Sequence, residues 1–113
     1  MKRDKVIDIF GSKWTLKQVK GEIKSESSND DTIYFGLTNL RDRVIYLNSE
    51  LNENEFNITL LHELFHAITA TGLYNGSCDD EPLIEFLARS IYSLSKQGII
   101  TINYGRENTN RNK

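Results

Sequence analysis

The run His-Glu-Leu-Phe-His at residues 62–66 constrains this chain more than any other stretch, because it lies in an apolar segment with helical periodicity. Residues four apart share one face of a helix, so His62 and His66 can direct both imidazoles at one point. Zn²⁺ binds imidazole nitrogen at about 2.0–2.1 Å in near-tetrahedral geometry, which suits this spacing. Glu63 follows the first histidine, where a carboxylate can take a proton from a zinc-activated water. The motif therefore predicts a catalytic zinc site on a helix.

Length and composition limit the class of protein. A chain of 113 residues implies one domain, and 38% hydrophobic with 27% charged residues is ordinary for a soluble globular protein. The net charge of −2 does not indicate nucleic acid binding, although the middle of the chain is acidic and both ends are basic. The single cysteine, Cys78, fits a reducing compartment. No leader-like or membrane-length apolar run is present, so the sequence predicts a cytoplasmic protein without a membrane partner.

The first half of the chain has the short alternating runs of a small β-sheet. Residues 6–10 and 13–20, separated by Gly11 and Ser12, predict a β-hairpin. After a polar loop, two further strands are predicted at residues 32–36 and 43–47. Between them, residues 38–42, Thr-Asn-Leu-Arg-Asp, are predicted to form a turn.

The second half has helical periodicity. Residues 54 to about 71 predict a largely buried helix that ends near Gly72. The three- and four-residue spacing assigns its buried stripe to four apolar side chains, Ile58, Leu61, Phe65 and Ile68. A second helix is predicted from Asp80 or Glu81 to about Lys96.

The remaining C-terminal residues complete the predicted architecture. Residues 99–104 are expected to form a last strand or a docked extension, and residues 105–113 a flexible basic tail. The predicted domain therefore spans residues 1–104. Its fold class is α+β, with a small mixed or antiparallel sheet of three or four strands packed against two helices.

Two imidazoles do not complete a catalytic zinc site, which usually has three protein ligands. The second predicted helix offers Glu81 and Glu85, which are four residues apart and share a face. One carboxylate could bind the metal while the other accepts the N–H of a ligand imidazole and fixes its orientation. These residues alone leave open which glutamate has which role.

The motif and the second helix together resemble the zincin metallopeptidases, and within them the gluzincins, whose second helix carries Glu-x-x-x-Asp. Here residues 81–85 read Glu-Pro-Leu-Ile-Glu, with Glu in place of Asp. The resemblance implies that Glu81 is the third metal ligand and that Glu85 orients the first histidine. Residues 44–94 are also distantly similar to small, often phage-encoded proteins related to the ImmA/IrrE group. Those proteins carry a strand of Arg-Val-Ile-Tyr-Leu type before Leu-Leu-His-Glu-Leu-x-His-Ala-Ile.

This resemblance implies a metallopeptidase with one Zn²⁺ ion that hydrolyses peptide bonds in a protein or peptide substrate, with Glu63 as general base. In zincins the substrate lies antiparallel to an edge strand, and the resemblance assigns that role to Val44, Ile45 and Tyr46. An oxyanion also needs a second donor, for which the chain offers Tyr74, Arg89, Tyr92 and Tyr104. The alternative hypothesis is a zinc-binding, catalytically weak or inactive protein that acts as a regulatory protein-binding module.

Overall fold

A computed structural model describes residues 4–21, 23, 34–72 and 80–106. Within this part of the chain, four strands are followed by two helices: β1 (Lys5–Ile9), β2 (Ser12–Val19), β3 (Gly36–Asn39), β4 (Val44–Asn48), α1 (Glu53–Gly72) and α2 (Glu81–Lys96). The strands form one mixed sheet that packs against α1, and α2 packs against α1. This architecture confirms the predicted α+β class.

The order of the strands decides which backbone is available beside the metal-site motif. It is β1-β2-β4-β3, with β2 and β4 parallel and the other two pairs antiparallel. Strand β4 is therefore hydrogen-bonded on both sides, and β1 and β3 form the two sheet edges in the described part of the chain. The predicted edge position of Val44, Ile45 and Tyr46 is wrong, because the parallel pairing with β2 places their strand inside the sheet.

The third strand lies later in the chain than its sequence indicates. Residues 32 and 33 lie outside the described residues, and Tyr34 forms an isolated bridge with Ile23. Thr38 and Asn39 were predicted to lie in the turn, but they belong to β3 and pair with β4. The turn begins after them, where the Asn39 side chain accepts a hydrogen bond from the backbone N–H of Asp42 at 3.0 Å. Pairing with β4 therefore overrides the local preference of these residues.

The core lies between the sheet and α1. Alternate residues of β2 and β4 face α1 and are buried: Trp14, Leu16, Gln18, Ile45 and Leu47. From α1, Phe56, Leu60 and Ala67 are the buried apolar residues that pack against them, and Leu64 is partly buried beside them. Of the predicted stripe, Leu61 is buried but Ile68 is 36% exposed, so the buried face of α1 is rotated relative to the prediction. Apolar side chains surround α1, so periodicity alone did not identify its buried face.

Helix α2 begins after a capping aspartate and ends just before a glycine with positive φ. Asp80 caps its N-terminus by accepting a hydrogen bond from the backbone N–H of Leu83 at 3.1 Å. At the other end, Gly98 adopts a φ of 82°, a conformation that glycine tolerates without steric strain. Ile84 and Ala88 are its buried residues. The cap fixes where the first turn of α2 lies, and that turn carries Glu81.

The residues after α2 form a docked extension without a described strand. Ile102 and Tyr104 pack against the core. Gln18 Nε2 donates a hydrogen bond to the carbonyl oxygen of Gly105 at 3.0 Å, and an Arg106 Nη1 lies 3.5 Å from the carbonyl oxygen of Ser49. The first two residues of the predicted tail thus contact the body of the protein, and residues 107–113 lie outside the described residues. Among the described helices, none has the length and apolar character needed to cross a bilayer.

Candidate metal centre

Helix α1 brings the two histidines of the motif to one face, as the spacing predicts. His62 and His66 lie one turn apart, and their ring centroids are 5.0 Å from each other. Their side chains are only 19% and 17% exposed, because the helix packs against the sheet on one side and α2 on another. Both imidazoles are therefore partly desolvated and close enough to act on one ion.

Glu81, in the first turn of α2, lies between these imidazoles. Its Oε1 is 2.9 Å from His62 Nε2, and its Oε2 is 3.1 Å from His66 Nε2. One donor atom from each of the three residues lies within 4.8 Å of the others. Two imidazole nitrogens and a carboxylate form a donor set that suits Zn²⁺, and the Glu81 side chain is 62% exposed, so the cluster is open to water. The three residues are positioned to bind a metal ion.

Glu85 contacts the other nitrogen of the first histidine. Its Oε1 lies 2.8 Å from His62 Nδ1, and its Oε2 accepts a hydrogen bond from Arg89 Nε at 2.7 Å. A carboxylate at Nδ1 favours the tautomer with the proton on Nδ1 and the lone pair on Nε2. The two glutamates that the sequence left interchangeable thus lie at opposite nitrogens of His62.

Glu63, the residue after His62, contacts the edge strand of the sheet and lines the same cleft as the two histidines. It is buried, and Thr38 Oγ1 of the edge strand lies 2.6 Å from its Oε1 and 3.1 Å from its backbone oxygen. Burial raises the pKa of the Glu63 carboxyl above its ordinary value, while the Thr38 hydrogen bond and the two nearby histidines act against that rise. A raised pKa is the property expected of a carboxylate that exchanges protons near neutral pH.

The close approach of β3 to α1 depends on Gly36. A Cβ at this position would lie 2.7 Å from Thr59 Cγ2 and 3.0 Å from Glu63 Cγ, so a larger residue would force the two elements apart. Neither Gly36 nor Thr38 is predicted as a site residue from the sequence, because the first lies at the end of a predicted strand and the second in a predicted turn. Their roles arise from the pairing of β3 with β4, for which the sequence carries no specific signal.

Two clefts open beside the motif, and Gly36 lines both of them. The first, of about 400 Å³, has polar walls formed by Thr38, His62, Glu63, His66 and Glu81, and apolar walls formed by Tyr34, Leu37 and Leu40. The second, of about 370 Å³, shares His62 and Glu63 and extends to Phe35, Glu55, Ile58 and Arg89. Neither is lined by Val44, Ile45 or Tyr46. The clefts follow the edge strand β3.

The proposed oxyanion donors are dispersed. Tyr92 Oη donates a hydrogen bond to Asn54 Oδ1, and the Tyr104 ring packs 6.2 Å from the ring of Phe56. Arg89 lines the second cleft but donates its Nε–H to Glu85. Tyr74 and Cys78 lie outside the described residues. None of the three described candidates lines the first cleft.

A sheet whose edge strand runs beside a His-Glu-x-x-His helix, with a glutamate supplied by the next helix, is the arrangement of a zincin-like protein. Comparison with family models matches residues 16–91 to the IrrE N-terminal-like domain of peptidase family M78. The match covers more than half of the chain and includes Glu63 and the residues positioned to bind a metal ion, so this chain belongs to the family of IrrE N-terminal-like domains. No curated protein matches significantly, and neither does any solved structure.

Proposed function

We propose that this protein is a zinc-dependent metallopeptidase that hydrolyses peptide bonds in a protein substrate. In this proposal, His62, His66 and Glu81 hold one Zn²⁺ ion and Glu63 is the general base. The observation that carries it is the position of the Glu81 carboxylate, within 2.9 Å of one imidazole Nε2 and 3.1 Å of the other. Membership of a peptidase family supports the same reading.

In the proposed reaction, the metal ion acts as a Lewis acid and the side chains of the protein transfer protons and position groups. Bound Zn²⁺ supplies a Lewis acid that polarises a peptide carbonyl and lowers the pKa of water towards ~7. Glu63 accepts the proton of the attacking water and delivers it to the leaving amine. Burial raises the pKa of Glu63, which brings its proton affinity closer to that of the groups with which it exchanges. Thr38 fixes the carboxylate by hydrogen bonding to Oε1 at 2.6 Å.

The substrate is proposed to add as a strand to β3. This strand pairs with β4 on one side, and its other side faces the clefts in the described part of the chain. Strand addition supplies affinity from the main chain, and pockets beside the strand select side chains. The apolar wall formed by Tyr34, Leu37 and Leu40 favours an apolar substrate side chain next to the bond that is cleaved.

Glu63→Gln separates metal binding from proteolysis. We expect both the wild type and this variant to contain one Zn²⁺ per chain, measured by mass spectrometry of the purified protein. Only the wild type is expected to cleave a library of quenched peptides that spans apolar and polar residues. A wild type without stoichiometric zinc would overturn the proposal. A zinc-loaded wild type that leaves the library intact would favour the alternative of a protein-binding module.

A further inference from the structure

We propose that Arg89 is a positioning residue for the metal site: it holds Glu85 on Nδ1 of His62 and keeps that carboxylate out of the ligand set. This inference rests on the proposed function, because it concerns the same site. Arg89 Nε donates to Glu85 Oε2 at 2.7 Å, and Glu85 Oε1 lies 2.8 Å from His62 Nδ1. The three side chains form one continuous hydrogen-bonded series that ends at an imidazole facing Glu81.

The need for such a residue follows from the length of the glutamate. Glu85 has the same reach as Glu81 and lies one turn further along α2, so both carboxylates are close to the imidazole of His62. A glutamate also has one more rotatable bond than an aspartate, and ordering a long side chain has an entropic cost. Without a second partner, the Glu85 carboxylate would be free to leave Nδ1 and compete for the ion.

Arg89 removes that freedom by engaging the second carboxylate oxygen. Its position four residues after Glu85 places the two side chains on one face of α2. The guanidinium offers a planar N–H donor of fixed direction, and a charge-assisted hydrogen bond of this kind is short and directional. With one oxygen on Arg89 and the other on His62, the carboxylate plane is fixed, and His62 Nε2 stays directed at the proposed metal site that it shares with His66 and Glu81.

Removal of Arg89 changes Zn²⁺ affinity in opposite directions under the two explanations, positioning of Glu85 and charge repulsion alone. A guanidinium near a cation site repels the cation, so loss of Arg89 would tighten Zn²⁺ binding if charge alone mattered. Positioning predicts the reverse, because loss of Arg89 releases Glu85 and with it the orientation of His62. The Arg89 side chain is 60% exposed, so its removal leaves the core intact.

The test is Zn²⁺ affinity, measured by competition of the metal-free full chain with a fluorescent chelator. Arg89→Met keeps the aliphatic stem and is expected to weaken Zn²⁺ binding about two- to tenfold, between the effect of an exposed ion pair and that of a direct partner of a ligand. Lys96→Met removes one positive charge from the same helix and is the matched control, with affinity unchanged. Circular dichroism of metal-free Arg89→Met is expected to match the wild type.

A double-mutant cycle with Glu85→Ala shows whether Arg89 acts through Glu85. Arg89→Met is expected to have no further effect on Zn²⁺ affinity once Glu85 is alanine. Unchanged or tighter binding in the single variant, or an equal loss in the Glu85→Ala background, would overturn the positioning role and leave the proposed metallopeptidase standing. A wild type that fails to bind stoichiometric Zn²⁺ would instead remove the proposed function itself.

Discussion

Thr38 and Glu63 connect the edge of the sheet to the metal-site helix, since Thr38 Oγ1 lies 2.6 Å from Glu63 Oε1. The strand proposed to receive the substrate therefore also holds the proposed base. A shift of β3 on substrate binding would be transmitted to Glu63 through one hydrogen bond.

Thr38→Val tests this connection, because valine keeps the shape and removes the hydroxyl. A hydrogen bond to a charged group contributes about 1.5–3 kcal/mol, so we expect kcat/KM to fall about tenfold or more. The Thr38 hydrogen bond lowers the pKa of Glu63, so its loss raises that pKa. Glu63 acts as a base only when ionised, and the acid limb of the pH profile should therefore move to higher pH. Thr38→Ser retains the hydroxyl and should keep the wild-type profile; an unmoved limb in Thr38→Val would exclude the coupling.

Gly36→Ala tests the close packing of β3 on α1. The added Cβ would lie 2.7 Å from Thr59 Cγ2, and relief of such overpacking costs about 1–3 kcal/mol of unfolding free energy. We expect chemical denaturation to show this loss. Thr59→Ser removes the opposing methyl and should restore part of the stability in the double variant. Gly105→Ala is the control, because nothing lies within 4 Å of a Cβ there. A Gly36→Ala variant as stable as the wild type would show that β3 can move away from α1 without loss of unfolding free energy.

Glu81→Ala and Glu85→Ala should weaken the metal site to different degrees. Glu81 lies at both Nε2 atoms, so its loss is expected to abolish stoichiometric Zn²⁺ binding. Glu85 lies at Nδ1 of His62, and loss of such a partner typically lowers metal affinity about 10–100-fold while the stoichiometry is retained. Isothermal titration with Zn²⁺ measures both quantities. Reversed results would make Glu85 the ligand.

The metal-free protein should lose stability as the pH rises through the pKa of Glu63. Burial disfavours the ionised carboxylate and raises its pKa in the folded state, so the protonated form stabilises the fold at low pH and that contribution disappears above the folded pKa. Glu63→Gln resembles the protonated form and does not titrate. We expect its thermal unfolding midpoint to exceed that of the wild type at neutral pH and to converge with it in acid. Parallel pH profiles for both proteins would contradict the raised pKa.

Much of the metal site was predictable because it depends on local spacing. The four-residue separation of the two histidines places both on one face of α1, and the Asp80 cap fixes the start of α2 and hence Glu81. Membership of the ImmA/IrrE-type family, expected from the same residues, is confirmed by the family match. The assignment of metal ligands and base to these side chains stays a proposal.

The edge of the sheet was not predictable for a physical reason. Residues 32–35 carry stronger strand propensity than the Gly-Leu-Thr-Asn of β3, so local preference did not indicate that the strand continues from Gly36 to Asn39. The parallel pairing of Thr15 with Val44 and of Leu16 with Ile45 joins residues far apart in sequence, and it decides which strand is left at the edge. Without that pairing, neither Thr38 nor Gly36 could be connected with Glu63.

The docked extension after α2 determines which contacts of the core can form last during synthesis of the chain. Gln18 and Gly105 are 87 residues apart and joined by a hydrogen bond, while Tyr104 packs 6.2 Å from Phe56 at the start of α1. During synthesis, all four strands and the motif helix leave the ribosome before these partners exist. The contacts that Gln18 and Phe56 make with this extension can therefore form only after α2 has been synthesised, so the packing at this end of the core is completed last.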